Sequence, residues 1–319
     1  MADVLPRASF RAMTTLERFV RGLVATTLPL SLLSCGGPAP RVPPCILPPD
    51  KIMTVSGGGL PDGGSPGDGG ISAADCNAIC GAAFYRCSIF STDGGSTQID
   101  CAAALCTGRR PAGLVPALAR ADTVGGWFAE AAHLEAASVP AFARLRRELI
   151  SFGAPAALVQ RCHAAARDEV GHARAMRSLA ARFGATAAPV ELAPFRPRSL
   201  EELAVENAVE GCTRELFGAV VGVWQSEAAN DPEIRAAMRG IAADEIRHAE
   251  LAFAIADWAA ARLPAAARAR VAEARQAALA EVRREAAAQR PAELMDVAGL
   301  PPPAAAEALA AAVSCLTLA

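Results

Sequence analysis

The sequence predicts an all-α protein whose main body is a bundle of four helices, followed by a fifth helix. Alanine is abundant, whereas aromatic residues make up only 5% of the 319 residues, a composition that suits closely packed helices better than sheets. From about residue 119, apolar residues recur at helical spacing in runs that end at glycine or proline. The formal net charge of -2 gives no basic excess, which argues against a nucleic-acid partner.

Cap and stop signals mark the ends of these helices. Pro155 suits the first position of the second helix, and Ser199 with Glu202 forms a capping box for the third. Asp231, followed by proline, caps the fourth. The predicted helices cover approximately residues 121–151, 155–183, 199–228, 231–263 and 265–289, with a short one at 304–313.

The lengths of the connections predict how the four helices are joined. The first two helices share a tight turn, as do the third and fourth, while residues 185–198 form a longer segment with three prolines between the pairs. Short loops make antiparallel hairpins, so the pattern favours two hairpins joined by one long crossover. An up-down-up-down bundle with one long loop stays open on loop lengths alone.

The N-terminus is predicted to be a signal peptide. Arg11, Arg18 and Arg21 precede an apolar stretch at 23–33 that is too short to span a bilayer. The stretch ends in Leu-Leu-Ser-Cys at Cys35, which resembles a bacterial lipobox and predicts cleavage before Cys35 and lipidation of its thiol. A plain secretory signal or a buried apolar segment is the alternative. The lipobox implies a lipid-anchored protein of the cell envelope, and Gly36 gives a weak preference for the outer membrane.

Cysteine usage agrees with export. Six of the ten cysteines crowd into a short Gly/Pro-rich region after the signal, which predicts a disulfide framework of undetermined connectivity. A zinc site is the weaker alternative, because no histidine lies among them. The six are Cys45, Cys76, Cys80, Cys87, Cys101 and Cys106. The predicted divisions are a signal peptide at 1–34, a Pro/Gly-rich linker at 35–72, a cysteine-rich region at 73–110, the four-helix bundle at 119–263 and a helical extension at 264–319.

A repeated phrase supplies the candidate chemistry. Two of the four histidines, His172 and His248, occupy the fifth position of a repeated six-residue motif, Asp-Glu-(Val/Ile)-x-His-Ala. Because residues three apart share a helix face, each phrase directs one carboxylate, Glu169 or Glu245, and one imidazole into the same space. The shared flanking residues argue against coincidence. An ordinary surface ion-pair face is the structural alternative.

Two further glutamates have the spacing of partner ligands. Glu135 lies 34 residues before Glu169, and Glu210 lies 35 residues before Glu245. Going up one helix and down its neighbour at equal rise brings each pair to about the same height. Glu206, one turn before Glu210, is a possible extra ligand, although a solvated helix position is the more ordinary interpretation.

These residues resemble the ligand set of the ferritin-like di-iron carboxylate family, in which two helices give one Glu each and two give a Glu-x-x-His. The wider layout is similar to myxobacterial ferritin-like lipoproteins. The resemblance implies a ferritin-like four-helix bundle and two iron ions, with manganese possible. It assigns as metal ligands Glu135, Glu169, His172, Glu210, Glu245 and His248.

The resemblance also suggests roles around the metals. Asp168 and Asp244 are candidates to accept a hydrogen bond from the second ring nitrogen of the histidines, each serving the opposite hairpin. Two bridging pairs stay open: Glu169 with Glu210, or Glu135 with Glu245. The expected activity is an oxidoreductase that reacts with oxygen or peroxide, as a peroxidase, ferroxidase or oxygenase, supplied by an external electron donor. A non-catalytic, metal-binding envelope lipoprotein is the alternative.

Overall fold

The computed structural model of the protein describes residues 15–32, 86–91, 97–102, 108–115 and 122–318. Within these ranges the long elements are all helical, as predicted, and the one sheet is an antiparallel hairpin of two short strands. The strands are β1 (Arg86–Ser91) and β2 (Thr97–Ala102). The helices are α1 (Thr15–Leu32), α2 (Val124–Ser151), α3 (Ala156–Arg182), α4 (Leu200–Glu206), a π-helical segment (Asn207–Glu215), α5 (Leu216–Ala228), α6 (Pro232–Ala260), α7 (Ala265–Ala287), α8 (Ala292–Asp296) and α9 (Pro303–Leu318).

Helices α2 and α3 form the first hairpin. The Thr123 side chain caps α2 by accepting a hydrogen bond from the N–H of Gly126 at 3.1 Å. The chain reverses after α2 at Gly153, whose φ of +68° is a left-handed conformation that glycine adopts without strain. The two helices then pack against each other along their length.

The third predicted helix is not a continuous α-helix. It begins at the predicted capping box, in which Ser199 and Glu202 satisfy each other's backbone N–H groups. After α4 it widens into the π-helical segment, where Thr213 Oγ1 donates to the carbonyl of Ala208, five residues earlier. It returns to α-helical geometry in α5, and Asp231 then caps α6 by accepting from two backbone N–H groups.

The two hairpins pack together through α3 and α6. Two clusters of buried apolar side chains fill the interior, one around Phe128, Met176 and Leu216 and the other around Phe142 and Leu251. On α2 and α3 the candidate ligands fall in the gap between the two clusters. The apolar clusters therefore bound a polar layer on two sides.

The N-terminal helix α1 packs against α5 and α9, with Val20 and Val24 buried. Among the described residues, no helix is both long and apolar enough to cross a membrane. Cys35, with its predicted lipid anchor, lies outside the described residues.

The predicted disulfide framework also falls largely outside the described residues, since four of its six cysteines are there. Cys87 and Cys101 are backbone partners in the register of β1 and β2. Cys162 and Cys212, both in the helical body, are buried free thiols.

Residues 108–115 run across the helical body between the cysteine-rich region and α2. Gly108, at a φ of +108°, passes so close to α2 that an added Cβ would lie 2.8 Å from Ser138 Oγ. Leu114 pairs with Leu192 of the long connection as an isolated antiparallel bridge. This segment brings Arg109 into the interior, where it is 1% exposed.

Candidate metal centre

Three helices bring five of the six predicted ligands together in the interior. Glu135 comes from α2, Glu169 and His172 from α3, and Glu245 and His248 from α6. All five are buried, the most exposed at 4%. Ligand atoms of four of them, Glu135, Glu169, His172 and Glu245, lie within 4.8 Å of one another. This buried cluster is an arrangement that could hold a metal ion.

Glu169 and Glu245 both face the two imidazoles. His172 Nδ1 lies 3.6 Å from Glu169 Oε2 and 3.3 Å from Glu245 Oε1. His248 Nδ1 lies 3.2 Å from Glu169 Oε1 and 3.5 Å from Glu245 Oε1. Glu135 approaches the His172 side, with its Oε2 3.7 Å from Nδ1. Glu169 and Glu245 are therefore the two carboxylates that lie close to both imidazoles.

The outer nitrogen of each imidazole contacts an aspartate of the other hairpin. His172 Nε2 lies 3.0 Å from Asp244 Oδ2, and His248 Nε2 lies 3.3 Å from Asp168 Oδ2. Arg247 contacts both aspartates. When Nε2 carries the proton and donates it to the aspartate, the Nδ1 lone pair of each ring points into the cluster. These are the cross-hairpin contacts that the sequence analysis expected.

Glu210 is the predicted ligand that the structure does not bring to the cluster, so the proposed bridging pair of Glu169 and Glu210 does not form. Glu210 Oε2 instead accepts a hydrogen bond from the backbone N–H of Arg110 at 3.1 Å. Its Oε1 lies 3.8 Å from Arg214 Nε. The prediction assumed an unbroken α-helix, whereas the π-helical turns take additional residues and shift which side chains face the interior.

A second carboxylate of the third helix lies near the cluster: Glu215, the last residue of the π-helical segment. Its side chain is fully buried, and its pKa is raised by burial and by the charges of Glu245 and Glu169, against the lowering effect of Arg109 and His248. The sequence contained a signal for it. The midpoint between Glu215 and Glu245 is Asn230, in the turn between α5 and α6, just as the turn after α2 lies midway between the ligands of the first hairpin.

Glu206, the possible extra ligand, lies in an ion-pair network beside the cluster. Its carboxylate accepts from Arg109 Nε at 2.9 Å and from Arg198 Nη1 at 2.5 Å. Arg198 also donates to both carboxylate oxygens of Glu148, through its Nε and Nη2. Although burial opposes it, the two arginines hold the pKa of Glu206 below its ordinary value. This carboxylate is therefore already neutralised by protein cations.

Burial and the closely spaced carboxylates shift the pKa values of several groups in and beside the cluster. Burial, and then the charge of Glu169, raise the pKa of Glu135 well above its ordinary value. Burial raises the pKa of Glu215 to about 8. Burial alone would lower the pKa of His172, but the surrounding carboxylates raise it. Burial and neighbouring negative charge therefore oppose ionisation of Glu135 and Glu215, while the carboxylates around His172 favour its charged form.

The donor set has buried atoms that a metal ion could bind. Glu169, Glu245 and Glu215 have buried carboxylate oxygens, and His172 and His248 have buried Nδ1 atoms, that make no hydrogen bond within the described part of the chain. Buried polar atoms of this kind are costly unless something binds them. Together with Glu135 there are four buried carboxylates, whose charge a bound metal would offset.

Two other histidines and a thiol lie away from these contacts. His133 is buried with Nδ1 3.2 Å from the carbonyl of Ala188, and His163 is exposed. Burial raises the pKa of Cys162 to about 12, so its thiol stays protonated. His133 and Cys162 are therefore packing residues, and His163 is a surface residue.

No protein-family model, no curated protein and no solved structure matches the chain.

Proposed function

We propose that this protein is a ferritin-like di-metal carboxylate oxidoreductase of the cell envelope that reacts with oxygen or peroxide. The observation that carries the proposal is the buried layer of four carboxylates and two imidazoles between two apolar clusters. Two helical hairpins joined by one long connection, with a Glu-x-x-His on one helix of each, support the ferritin-like class.

The proposed ligand set has one correction to the sequence prediction. Glu135 with His172 would hold one metal, Glu215 with His248 would hold the other, and Glu169 and Glu245, which lie close to both imidazoles, would be shared. Oxygen-rich donors with one imidazole per metal suit iron or manganese. The metals supply a pair of redox-active Lewis acids that exchange electrons with a small oxidant.

The protein's own residues prepare this site. Asp244 and Asp168 hold the rings of His172 and His248 so that Nδ1 points inward. The ring of Phe142 lies 5.2 Å from that of His248 and belongs to the apolar cluster beside the site. The apolar surroundings exclude water and strengthen the electrostatic interactions of the carboxylates.

The proposal includes an external electron donor and a location in the cell envelope. The cysteine-rich region lacks the paired cysteines of a rubredoxin-type iron site, so an external donor supplies the electrons. The lipobox at Cys35 supports a lipid anchor in the envelope, with the outer membrane weakly preferred. The mass of the mature protein tests the anchor: a diacylglyceryl group on Cys35 supports it, and an intact N-terminus contradicts it.

Metal loading followed by oxidation tests the function. Anaerobic addition of ferrous iron to the chelator-treated protein is expected to give two bound iron ions per chain. Oxygen or peroxide should then produce a ferric absorption band that reductant bleaches, with consumption of the oxidant. Glu245→Ala should abolish loading, whereas Glu250→Ala, a partly buried position five residues along the same helix, should not.

Two outcomes would contradict the proposal. A protein that binds no metal lacks the proposed centre. Two bound iron ions that neither oxygen nor peroxide oxidises would indicate instead the non-catalytic, metal-binding envelope protein.

A further inference from the structure

The two ends of the metal layer differ in their charged neighbours. On the His172 side, four ligands are already gathered: Glu135, Glu169, His172 and Glu245 have ligand atoms within 4.8 Å of one another. The Glu215 end has no such complete set among the described residues.

A buried arginine stands at the Glu215 end. Arg109 Nη1 lies 3.8 Å from Glu215 Oε2, and Arg109 is only 1% exposed. At the other end, Glu135 Oε2 lies 3.7 Å from His172 Nδ1. Arg247 contacts Asp168 and Asp244, the aspartates that face both imidazoles, so its charge acts on the two ends alike.

Arg109 is held in place on several sides. Its Nε donates to Glu206 Oε1 at 2.9 Å, and its Nη2 donates to Asn207 Oδ1 at 3.1 Å. Its guanidinium lies 5.6 Å from the centre of the Phe142 ring. Its backbone carbonyl accepts from Ser138 Oγ at 3.1 Å. The positive charge therefore cannot move away when a metal ion arrives.

We propose that Arg109 makes the two metal positions inequivalent, so that the position at Glu135 and His172 fills first and the position at Glu215 and His248 fills second and more weakly. This inference rests on the proposed two-metal function. Arg109 acts as a positioning residue. Its positive charge attracts the carboxylate of Glu215. The same charge repels a divalent cation that binds to this carboxylate.

The size of the effect follows from the charges. A fixed unit charge a few ångströms from a divalent cation, even screened to a water-like extent, changes the binding constant by about tenfold or more. The affinities of the two positions should therefore differ by at least about tenfold in the natural chain.

Titration of the chelator-treated, full-length chain with cobalt(II) tests this inference. Visible absorption follows the binding, and equilibrium dialysis gives the stoichiometry. The natural chain should bind cobalt in two steps separated by at least about tenfold. His172→Ala should remove the tight step, and His248→Ala should remove the weak one.

An arginine variant tests the cause. Arg109→Gln should bring the two affinities to within about threefold, chiefly by strengthening the second step. Arg214→Gln is the matched control, since Arg214 is also a buried arginine and precedes Glu215 in the chain, but binds Glu281 and Glu285 on α7. It should leave the separation unchanged.

The possible results distinguish failure of this inference from failure of the proposed two-metal function. Two steps of equal affinity, or loss of the tight step in His248→Ala, would overturn the inference and leave a two-metal site standing. Absence of any cobalt binding would overturn both. The histidine variants test the order of filling even where Arg109→Gln does not fold.

Discussion

The replacement Glu215→Gln distinguishes the carboxylate that the structure brings to the cluster from the one that the sequence predicted. In the metal-free protein the pKa of Glu215 rises from its ordinary 4.5 to about 8, chiefly through burial. Between these values the folded state binds a proton that the unfolded state has released, so stability falls as the pH rises from 4.5 to 8.

The magnitude follows from this interval. Each pH unit between 4.5 and 7 destabilises the metal-free fold by about 1.4 kcal/mol, which makes on the order of 3 kcal/mol at pH 7. Glutamine has nearly the shape of the protonated side chain and carries no charge. After allowing for an imperfectly bonded buried amide, Glu215→Gln should stabilise the metal-free protein at pH 7 by about 1–3 kcal/mol.

With metal bound, Glu215→Gln should lower stability instead of raising it. A glutamine is a poorer ligand than a carboxylate, so Glu215→Gln should weaken the second bound metal by about a hundredfold or abolish it. The metal-dependent rise in Tm should shrink accordingly. Chemical denaturation in chelator at pH 5 and pH 7, and melting with added manganese, measure the two effects.

Glu210→Gln is the matched control, because Glu210 is also a glutamate, lies on the same π-helical segment and is 8% exposed. It should leave metal stoichiometry unchanged. If Glu210→Gln loses a metal while Glu215→Gln keeps both, the assignment of ligands from the structure is wrong and the sequence prediction was right. If Glu215→Gln lowers the stability of the chelated protein at pH 7, the electrostatic reasoning fails.

Three further predictions concern the surroundings of the site. Asp244→Asn should weaken metal binding by about 10–100-fold with the fold intact, as measured by competition with a chromogenic chelator. Gly211→Ala should destabilise the protein by about 1–3 kcal/mol in denaturant titrations, because its Cβ would lie 2.5 Å from that of Ala252; an unchanged midpoint would show that the π-helical segment yields easily. Arg182 and two backbone N–H groups lower the pKa of Asp231 to about 2, so Asp231→Ala should cost about 1 kcal/mol at pH 7, and the difference from the natural chain should shrink as the pH falls from 4 towards 2.

Much of the helical body could be predicted from local chemistry. The capping box at Ser199 and the cap at Asp231 have the predicted roles, and the long helices end within a few residues of their predicted limits. Such signals act between residues that are near neighbours in the chain, so a sequence displays them directly. The predicted signal peptide, lipid anchor and disulfide framework stay predictions.

The candidate site also has a part that local helix geometry predicts and a part that it does not. The pairing of Glu169 with His172, and of Glu245 with His248, follows from helix geometry alone, because residues three apart share a face in any α-helix. The carboxylate that the third helix places near these pairs could not be predicted in this way. The π-helical segment between Asn207 and Glu215 changes which side chains face the interior.

The sequence by itself determined the helical class and the two Glu-x-x-His pairs, because both depend on contacts within one or two helical turns. The tertiary structure alone decided that Glu210 accepts a hydrogen bond from the backbone of Arg110, away from the cluster, and that Arg109, from a segment outside the four helices, lies beside the buried Glu215. Side chains separated by about a hundred residues meet only when the whole interior packs, and burial then gives their charges the strength to shape the site.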